Sequence, residues 1–338
     1  MNTTETRISI QAAMRAAFPA VEARVARFYG MQQYQLGWRG EQLEPADVDP
    51  GKLLRPQLTL LACHAAGGDP QQALPLAAGI QLIHDFSLIH DDIEDNSDTR
   101  RGRRTLWNIW GLAQGINAGD GLFVVAHLAL HRLSAAGVPA EIALEVLRRF
   151  DQTILTICEG QFLDLSFEGD LRISEADYLD MISRKTAALA AAAAGLGAIV
   201  GGADVATAQA LFDFGQNLGL AFQVQDDVLG IWGDPAVTGK PAAADLYRRK
   251  LSLPVIHALR TAAQSETLAR LYSQDAISDT NVAQMLEILA EAGARGYTEG
   301  VAARYHQQAL AALEAVNGND AALAELCALA ERLVGRQH

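Results

Sequence analysis

The chain has 338 residues, with 27 Lys plus Arg against 40 Asp plus Glu and a formal net charge of −13. This acidic balance argues against a nucleic-acid partner, which needs a basic surface to displace counterions. Half of the residues are hydrophobic and 20% are charged, which excludes a disordered chain, and the length suffices for a large core without disulfides or structural metals.

Residues 1–18 (MNTTETRISIQAAMRAAF) show no signal-peptide apolar core with a cleavage site. The first basic element is Gly51-Lys52-Leu53-Leu54-Arg55-Pro56, whose Lys52 and Arg55 share a face if helical. Cys63, Cys158 and Cys327 are far apart and form no CxxC pair. They read as reduced core residues of a cytoplasmic protein.

An apolar helical stretch from Leu82 to Ile93 ends in an acidic cluster, Asp91-Asp92-Ile93-Glu94-Asp95. Asp91 and Asp95 are four apart and project from one helical face. Like charges at that spacing repel, and acid near a helix C-terminus opposes the macrodipole. That local cost favours a bound hard cation such as Mg²⁺, shared with substrate phosphates. Arg100, Arg101, Arg103 and Arg104 follow directly. Their planar forks match phosphate oxygens, or else they neutralise the neighbouring acids. Trp107 and Trp110 read as packing residues.

From Thr186 to Ala203 no charge occurs. The run is mostly Ala and Gly, which carry little transfer energy, so the spacing predicts a closely packed buried helix and no membrane span. Leu211, Phe214, Leu218, Phe222, Gln225 and Leu229 form a stripe at helical spacing, with Gly215 and Gly219 beside it. This stripe ends in a second acidic cluster at Asp226-Asp227, followed by Lys240 and by Arg248, Arg249 and Lys250. Residues 307–335 repeat the helical pattern, and strand signals are nearly absent. The expected fold is all-α, a single domain over residues 1–338, built as a helical bundle around a central cavity. Two carboxylate pairs and several Lys/Arg groups on otherwise apolar helices suit a diphosphate head with a hydrocarbon tail.

Taken together and in this order, the segments resemble the trans-isoprenyl diphosphate synthases, or polyprenyl synthetase family. The motif GKxxRP appears at Gly51–Pro56, DDxxD at Asp91–Asp95, an arginine pair at Arg100-Arg101 and a Lys-Thr pair at Lys185-Thr186. FQxxDD appears at Phe222–Asp227 and GKPxxxDLxxxK at Gly239–Lys250. The resemblance implies head-to-tail condensation of isopentenyl diphosphate with an allylic diphosphate. It implies Asp91, Asp92 and Asp95 as holders of two Mg²⁺, and Asp226, with Asp227, as holder of a third. Arg100, Lys185 and Lys240 would bind the allylic diphosphate. Lys52, Arg55, His84 and Arg101 would bind isopentenyl diphosphate, and Lys250 belongs to the substrate-binding set. Thr186 and Gln223 would direct dipoles at the developing cation. A homodimer is also implied. His90 reads as a core histidine.

At the second motif Gly230 stands where many members carry the last aspartate, which puts an outer contact to the third Mg²⁺ in doubt. Phe86, five residues before Asp91, is bulky, and Ser87 is small. An aromatic there is similar to enzymes making C20 geranylgeranyl diphosphate, with C15 farnesyl diphosphate second. Two other readings remain open: a class I terpene cyclase and a non-catalytic helical regulatory subunit.

Overall fold

Ala- and Leu-rich stretches with apolar residues at steps of three and four fold as helices, because that spacing gives each a face to bury. The structure, a computed structural model, describes residues 3–49, 51–235, 241–274 and 276–334. In chain order it shows α1 (Thr3–Ala17), a 3-10 turn (Ala23–Val25), α2 (Ala26–Gln35), α3 (Leu54–Ala65) and α4 (Leu74–Glu94). Two-residue strands β1 (Thr99–Arg100) and β2 (Arg103–Arg104) follow, then α5 (Leu106–Trp110), α6 (Leu112–Leu130) and α7 (Ala140–Phe167). Next come α8 (Glu175–Ile182), a π-helical turn (Ser183–Ala187), α9 (Ala188–Val200) and α10 (Val205–Trp232). The remaining helices are α11 (Ala244–Tyr247), α12 (Leu253–Thr261), α13 (Ser265–Tyr272), α14 (Asp279–Glu291), α15 (Ala294–Glu314) and α16 (Asp320–Val334). The β1–β2 hairpin is the sole sheet among the described residues, so the all-α expectation holds.

The chain divides into two compact units. The first takes described residues within 1–150, 193–208 and 318–322. Here α4 packs on α6, and α1 and α3 pack on α4. Glycines set the α4–α6 approach. A Cβ on Gly79 would fall 2.0 Å from Leu130 Cδ1, and one on Gly119 would fall 2.3 Å from His90 Nε2. Gly115 meets Ile93 in the same way, so the two helices run antiparallel. Leu76, Ile80, Leu82, Leu122 and Phe150 are fully buried between these elements.

The Ala/Gly run behaves as a packing device, but not as one regular helix. Its start lies in the π turn, α9 carries it to Val200, and residues 201–203 follow outside the helix. Within the first unit, Gly197 and Gly201 bring the end of this segment against the backbone of α3. A Cβ at Gly197 would lie 2.3 Å from Thr59 O, and one at Gly201 would lie 2.5 Å from Cys63 O. Among the described residues no helix is long and apolar enough to cross a membrane.

The second unit takes described residues within 151–192, 209–317 and 323–338. One cluster joins Val255, Ala258, Leu268, Leu271, Met285, Ile288 and Leu289 from α12, α13 and α14. A second joins Tyr178, Met181, Leu220, Val224, Leu253, Ile256 and Val301. Leu211, Phe214 and Leu218 of the α10 stripe are buried. Gly215 and Gly219 bring α10 onto Ala190 and Ala187, to within 2.4 and 2.6 Å of where their Cβ atoms would stand. The single pattern read over residues 307–335 is two helices, α15 and α16, interrupted between Glu314 and Asp320.

One buried group of the first unit makes stability pH-dependent. Asp85 on α4 is 3% exposed and accepts a hydrogen bond from Gln81 Nε2 at 2.9 Å. Burial pushes its carboxyl up to about 6 from 3.8, against the pull of Gln81 and nearby arginines. The native state therefore binds this proton more tightly than the unfolded chain. The contribution is full below about pH 4 and is lost as pH rises through about 6. Asp85→Asn should raise stability at pH 8 by roughly 1–3 kcal/mol and flatten the stability profile between pH 4 and 6. Urea titrations of both proteins at pH 4.5 and 8 check this. Equal pH slopes would contradict it.

Candidate active site

The basic segments of the first unit meet at one place. Leu53 precedes α3 in a left-handed conformation (φ 49°), which turns the chain so that Arg55 enters on the first turn. Arg55 Nη1 lies 3.4 Å from His84 Nε2 on α4. Burial and then the guanidinium groups of Arg55, Arg101 and Arg100 hold His84 well below the usual imidazole range. His84 is thus a neutral acceptor within a cationic cluster. The Arg101-Gly102 pair, both at positive φ (51° and 73°), makes the tight turn of the β1–β2 hairpin. The Arg101 guanidinium reaches back to Gly51, where a Cβ would stand 3.1 Å from Nη1. Gly51, Arg55, His84, Arg100 and Arg101 are therefore neighbours. Lys52, next to Gly51, is exposed.

The first acidic motif closes α4. Asp95 ends the helix and donates its N–H to Asp91 O at 2.9 Å, so both side chains leave from one face. Asp91 is half-buried and Asp95 exposed. Asp92 is buried, 2% exposed, on another face. Arg100 binds both neighbours, through Nε to Asp92 Oδ1 at 2.7 Å and Nη2 to Asp91 Oδ2 at 2.9 Å. Arg103 and Arg104 serve the fold instead. Arg103 donates to the carbonyls of Tyr34 and Arg39 and stacks on the Tyr34 ring, while Arg104 donates to Asn108. Trp107 donates to Ser97 O and Trp110 packs edge-on against Tyr34.

In the second unit Asp226 and Asp227 are adjacent on α10 but differ in setting. Asp226 is half-buried. Asp227 is fully buried and accepts from the Tyr178 hydroxyl, from Leu253 N at 3.2 Å and from Gln223 Nε2 at 3.4 Å. Burial and the Asp227 carboxylate raise the Tyr178 phenol well above its usual range, so it stays a donor. Lys250 Nζ stands 3.8 Å from Asp227 Oδ1. Desolvation lowers the Lys250 ammonium, but Asp227, Asp245, Asp164 and Asp226 outweigh it and hold it above its ordinary value. Sequence reasoning grouped Asp227 with the metal ligands, whereas its carboxylate is surrounded by protein donors.

Thr186 Oγ1 donates to Gln223 Oε1 at 3.2 Å, which joins the Lys-Thr pair to the same network. Lys185 and Thr186 sit on the π turn, a rare geometry common at functional sites. Lys185 Nζ contacts Asp164 Oδ2 at 2.5 Å. Gly160 on α7 makes room for this turn. A Cβ there would lie 2.2 Å from Lys185 N and 2.7 Å from its Cα. Gly160→Ala must therefore push the Lys185 backbone aside. We expect at least a tenfold fall in turnover and roughly 1–3 kcal/mol lost stability. Steady-state kinetics and thermal unfolding check this, and wild-type turnover would contradict it. Gln161 is half-buried beside Gly160.

Gly230 has a structural reason. A Cβ there would fall 2.1 Å from Asp245 Oδ2, so the buried Asp245 carboxylate fills that space. Sequence reasoning gave Asp245 no role, nor Tyr178, which lies 49 residues from its partner. Lys240 lies outside the described residues. Phe86 and Ser87 are both half-buried on α4, and the Phe86 ring packs against His90 and against Phe123 of α6. His90 also approaches Asp120 at 3.7 Å.

Among the described residues no three His, Cys, Asp or Glu groups converge into a ready-made metal cage. One-turn carboxylate pairs such as Asp91 and Asp95, and a half-buried carboxylate such as Asp226, suit Mg²⁺ instead. That ion keeps several waters and completes its shell with substrate phosphates.

A family model described as polyprenyl synthetase matches residues 43–289. A geranylgeranyl diphosphate synthase of Mycobacterium tuberculosis is 40% identical over 304 residues, 89% of this chain and 86% of that protein. The crystal structure of a polyprenyl synthetase from Streptomyces coelicolor A3(2) superposes with a TM-score of 0.90 at 38% identity, covering 98% of each chain. A geranylgeranyl pyrophosphate synthase from Corynebacterium glutamicum, complexed with isoprenyl diphosphate and magnesium, gives a TM-score of 0.83 at 27% identity. It covers 99% of this chain and 98% of that one.

Proposed function

The chain belongs to the polyprenyl synthetase family, and on that premise we propose that it condenses isopentenyl diphosphate with an allylic diphosphate to give geranylgeranyl diphosphate. The observation that carries this reading is the pair of distinct ion-binding arrangements. The first unit gathers Arg55, His84, Arg100 and Arg101 beside Gly51-Lys52, next to the Asp91/Asp95 face. A cyclase ionises one diphosphate and needs no second anion-binding cluster. A regulatory subunit needs neither this cluster nor an intact first motif.

In this reading the allylic C–O bond breaks, a C–C bond forms to the alkene of isopentenyl diphosphate, and a proton leaves to the released diphosphate. Bound Mg²⁺ supplies Lewis acidity toward the leaving diphosphate. Asp91, Asp95 and Asp226 would hold it, in a set of three ions per site. Arg100, Lys185 and Lys240 would grip the leaving group. Lys52, Arg55, His84 and Arg101 would fix the second substrate, with neutral His84 donating through its protonated ring nitrogen. Asp92 would orient Arg100, and Asp227 would orient Gln223 and Lys250 through the contacts described above. Thr186 and Gln223 would place dipoles toward the carbocation and keep water out.

The half-buried Phe86 supports a C20 product, with C15 second. Cys63, Cys158 and Cys327 form no disulfide, which suits a reducing, cytoplasmic setting, although only Cys63 is buried in the core and Cys158 is exposed. Leu112, Ile116, Val124 and Leu128 form an exposed apolar stripe on α6, 39–54% exposed, which supports a homodimer. Val124→Asp should then halve the mass seen by light scattering, and a monomeric wild type would refute the dimer. The function itself is tested by incubating the protein with Mg²⁺, isopentenyl diphosphate and dimethylallyl, geranyl or farnesyl diphosphate. Chain growth to C20 is expected, and diphosphate release without isopentenyl uptake would refute it.

A further inference from the structure

The turn that presents Lys52 is fixed from α1. Arg7, 44 residues before Gly51, donates from Nη1 to Gly51 O at 3.2 Å and from Nη2 to Asp49 Oδ1 at 2.5 Å. The same Asp49 oxygen accepts from Gly51 N at 2.9 Å. Both polar groups of the Gly51 main chain are thus taken up by one ion pair, in a closed ring of hydrogen bonds. Gly51 stands at φ 99°, a conformation that side-chain-bearing residues avoid, and the Arg101 guanidinium lies against it, 3.1 Å from where a Cβ would stand. Lys52 is held from its other side as well. Its carbonyl accepts from Gln57 Nε2 at 2.6 Å, and Leu53 turns the chain into α3.

The ring has a firm base. Arg7, Ile10 and Met14 lie at helical steps of three and four on one face of α1, Ile10 and Met14 are 0% and 2% exposed, and α1 packs on α4. The same α4 carries His84 and Asp91. The ion pair itself adds little to stability, since the Arg7 and Asp49 side chains are 37% and 74% exposed and water screens such pairs. Arg7 and then the Gly51 N–H hold the Asp49 carboxyl below its ordinary range, so the pair stays charged at neutral pH. A guanidinium that spans two acceptors across a glycine turn, with little effect on stability, suits a geometric task.

Resting on the chain-extension reading above, we propose that Arg7 and Asp49 are positioning residues for the isopentenyl diphosphate subsite. They hold Gly51 so that Lys52 and the Arg101 guanidinium converge on one diphosphate. Asp49 is also attracted to Arg101, which eases the gathering of like charges there. Isopentenyl diphosphate keeps its own C–O bond in the condensation, so contacts to its diphosphate are alike in the bound complex and at the transition state. Weakening them raises KM and spares kcat. Weakening a contact made only to the leaving diphosphate as its bond breaks lowers kcat instead.

The test is steady-state kinetics of Arg7→Ala, Arg7→Lys, Asp49→Ala and the double alanine variant. Isopentenyl diphosphate is varied at saturating farnesyl diphosphate and Mg²⁺, and then the reverse. Each alanine variant is expected to raise KM for isopentenyl diphosphate about five- to tenfold, with kcat and KM for farnesyl diphosphate within about twofold of wild type. The double variant should match the single ones, because the ring acts as a unit. Arg7→Lys keeps the charge without the planar fork and should fall between wild type and Arg7→Ala. Thermal unfolding should shift by no more than about 2 °C. A wild-type KM for isopentenyl diphosphate in both alanine variants, or an equal rise in both KM values, refutes the positioning role while chain extension stands. If wild type adds no isopentenyl unit, both readings fall together.

Discussion

Asp91→Ala is expected to lower turnover by about 10³-fold or more, equivalent to roughly 4 kcal/mol of transition-state stabilisation. Asp91 and Asp95 leave one face of α4 at its end, where like charges repel unless a cation lies between them. Asp91 is also one of two carboxylates held by Arg100. Its removal would take away a proposed metal ligand and free one arm of the guanidinium proposed to grip the leaving diphosphate. The effect falls on the bond-breaking step and should not be rescued by more substrate. Incorporation of isopentenyl diphosphate at saturating substrates and Mg²⁺ measures it, with circular dichroism as a check on folding. A rate within tenfold of wild type would remove the metal assignment.

Asp227→Ala is expected to destabilise the protein by roughly 3–5 kcal/mol, the range for breaking a buried, paired charge. Tyr178, Leu253 N and Gln223 all donate to this carboxylate, and the Lys250 ammonium lies beside it. The Tyr178 hydroxyl cannot reach water easily, because Tyr178 is 1% exposed and Asp227 is fully buried, whereas the Lys250 side chain is exposed. Each orphaned donor adds its own desolvation cost. Tyr178→Phe removes only one of the bonds and should cost about 1–2 kcal/mol. Denaturant unfolding of the two variants distinguishes the cases. Equal, small losses for both would show that Asp227 is not the hub of the network.

The all-α architecture was legible because periodic apolar stripes such as Leu211, Phe214 and Leu218 can be satisfied only by helices. The Asp91/Asp95 pair was legible for the same local reason, since a spacing of four fixes a shared face. What stayed hidden depends on partners distant in sequence. The Tyr178–Asp227 contact joins residues 49 apart, and nothing in either segment states the pairing. The two aspartates of the second motif are adjacent in sequence, yet α10 turns one into a buried hub and leaves the other half-buried. Gly230 reads in the sequence as the loss of an outer contact to the third Mg²⁺, but the space beside it belongs to Asp245, which arrives from another segment. The π turn at Lys185 and its dependence on Gly160 follow from packing of α7, which spacing cannot encode. The packing of the Phe123 ring against Phe86 needs the α4–α6 register, which no local spacing states.

The central claim is that this chain joins two diphosphate substrates. Its most direct test is one incubation of the protein with Mg²⁺, labelled isopentenyl diphosphate and farnesyl diphosphate, followed by mass analysis. Labelled geranylgeranyl diphosphate, formed with one released diphosphate per bond made, is the result the account predicts. Release of diphosphate from farnesyl diphosphate with no label in the hydrocarbon product would contradict it.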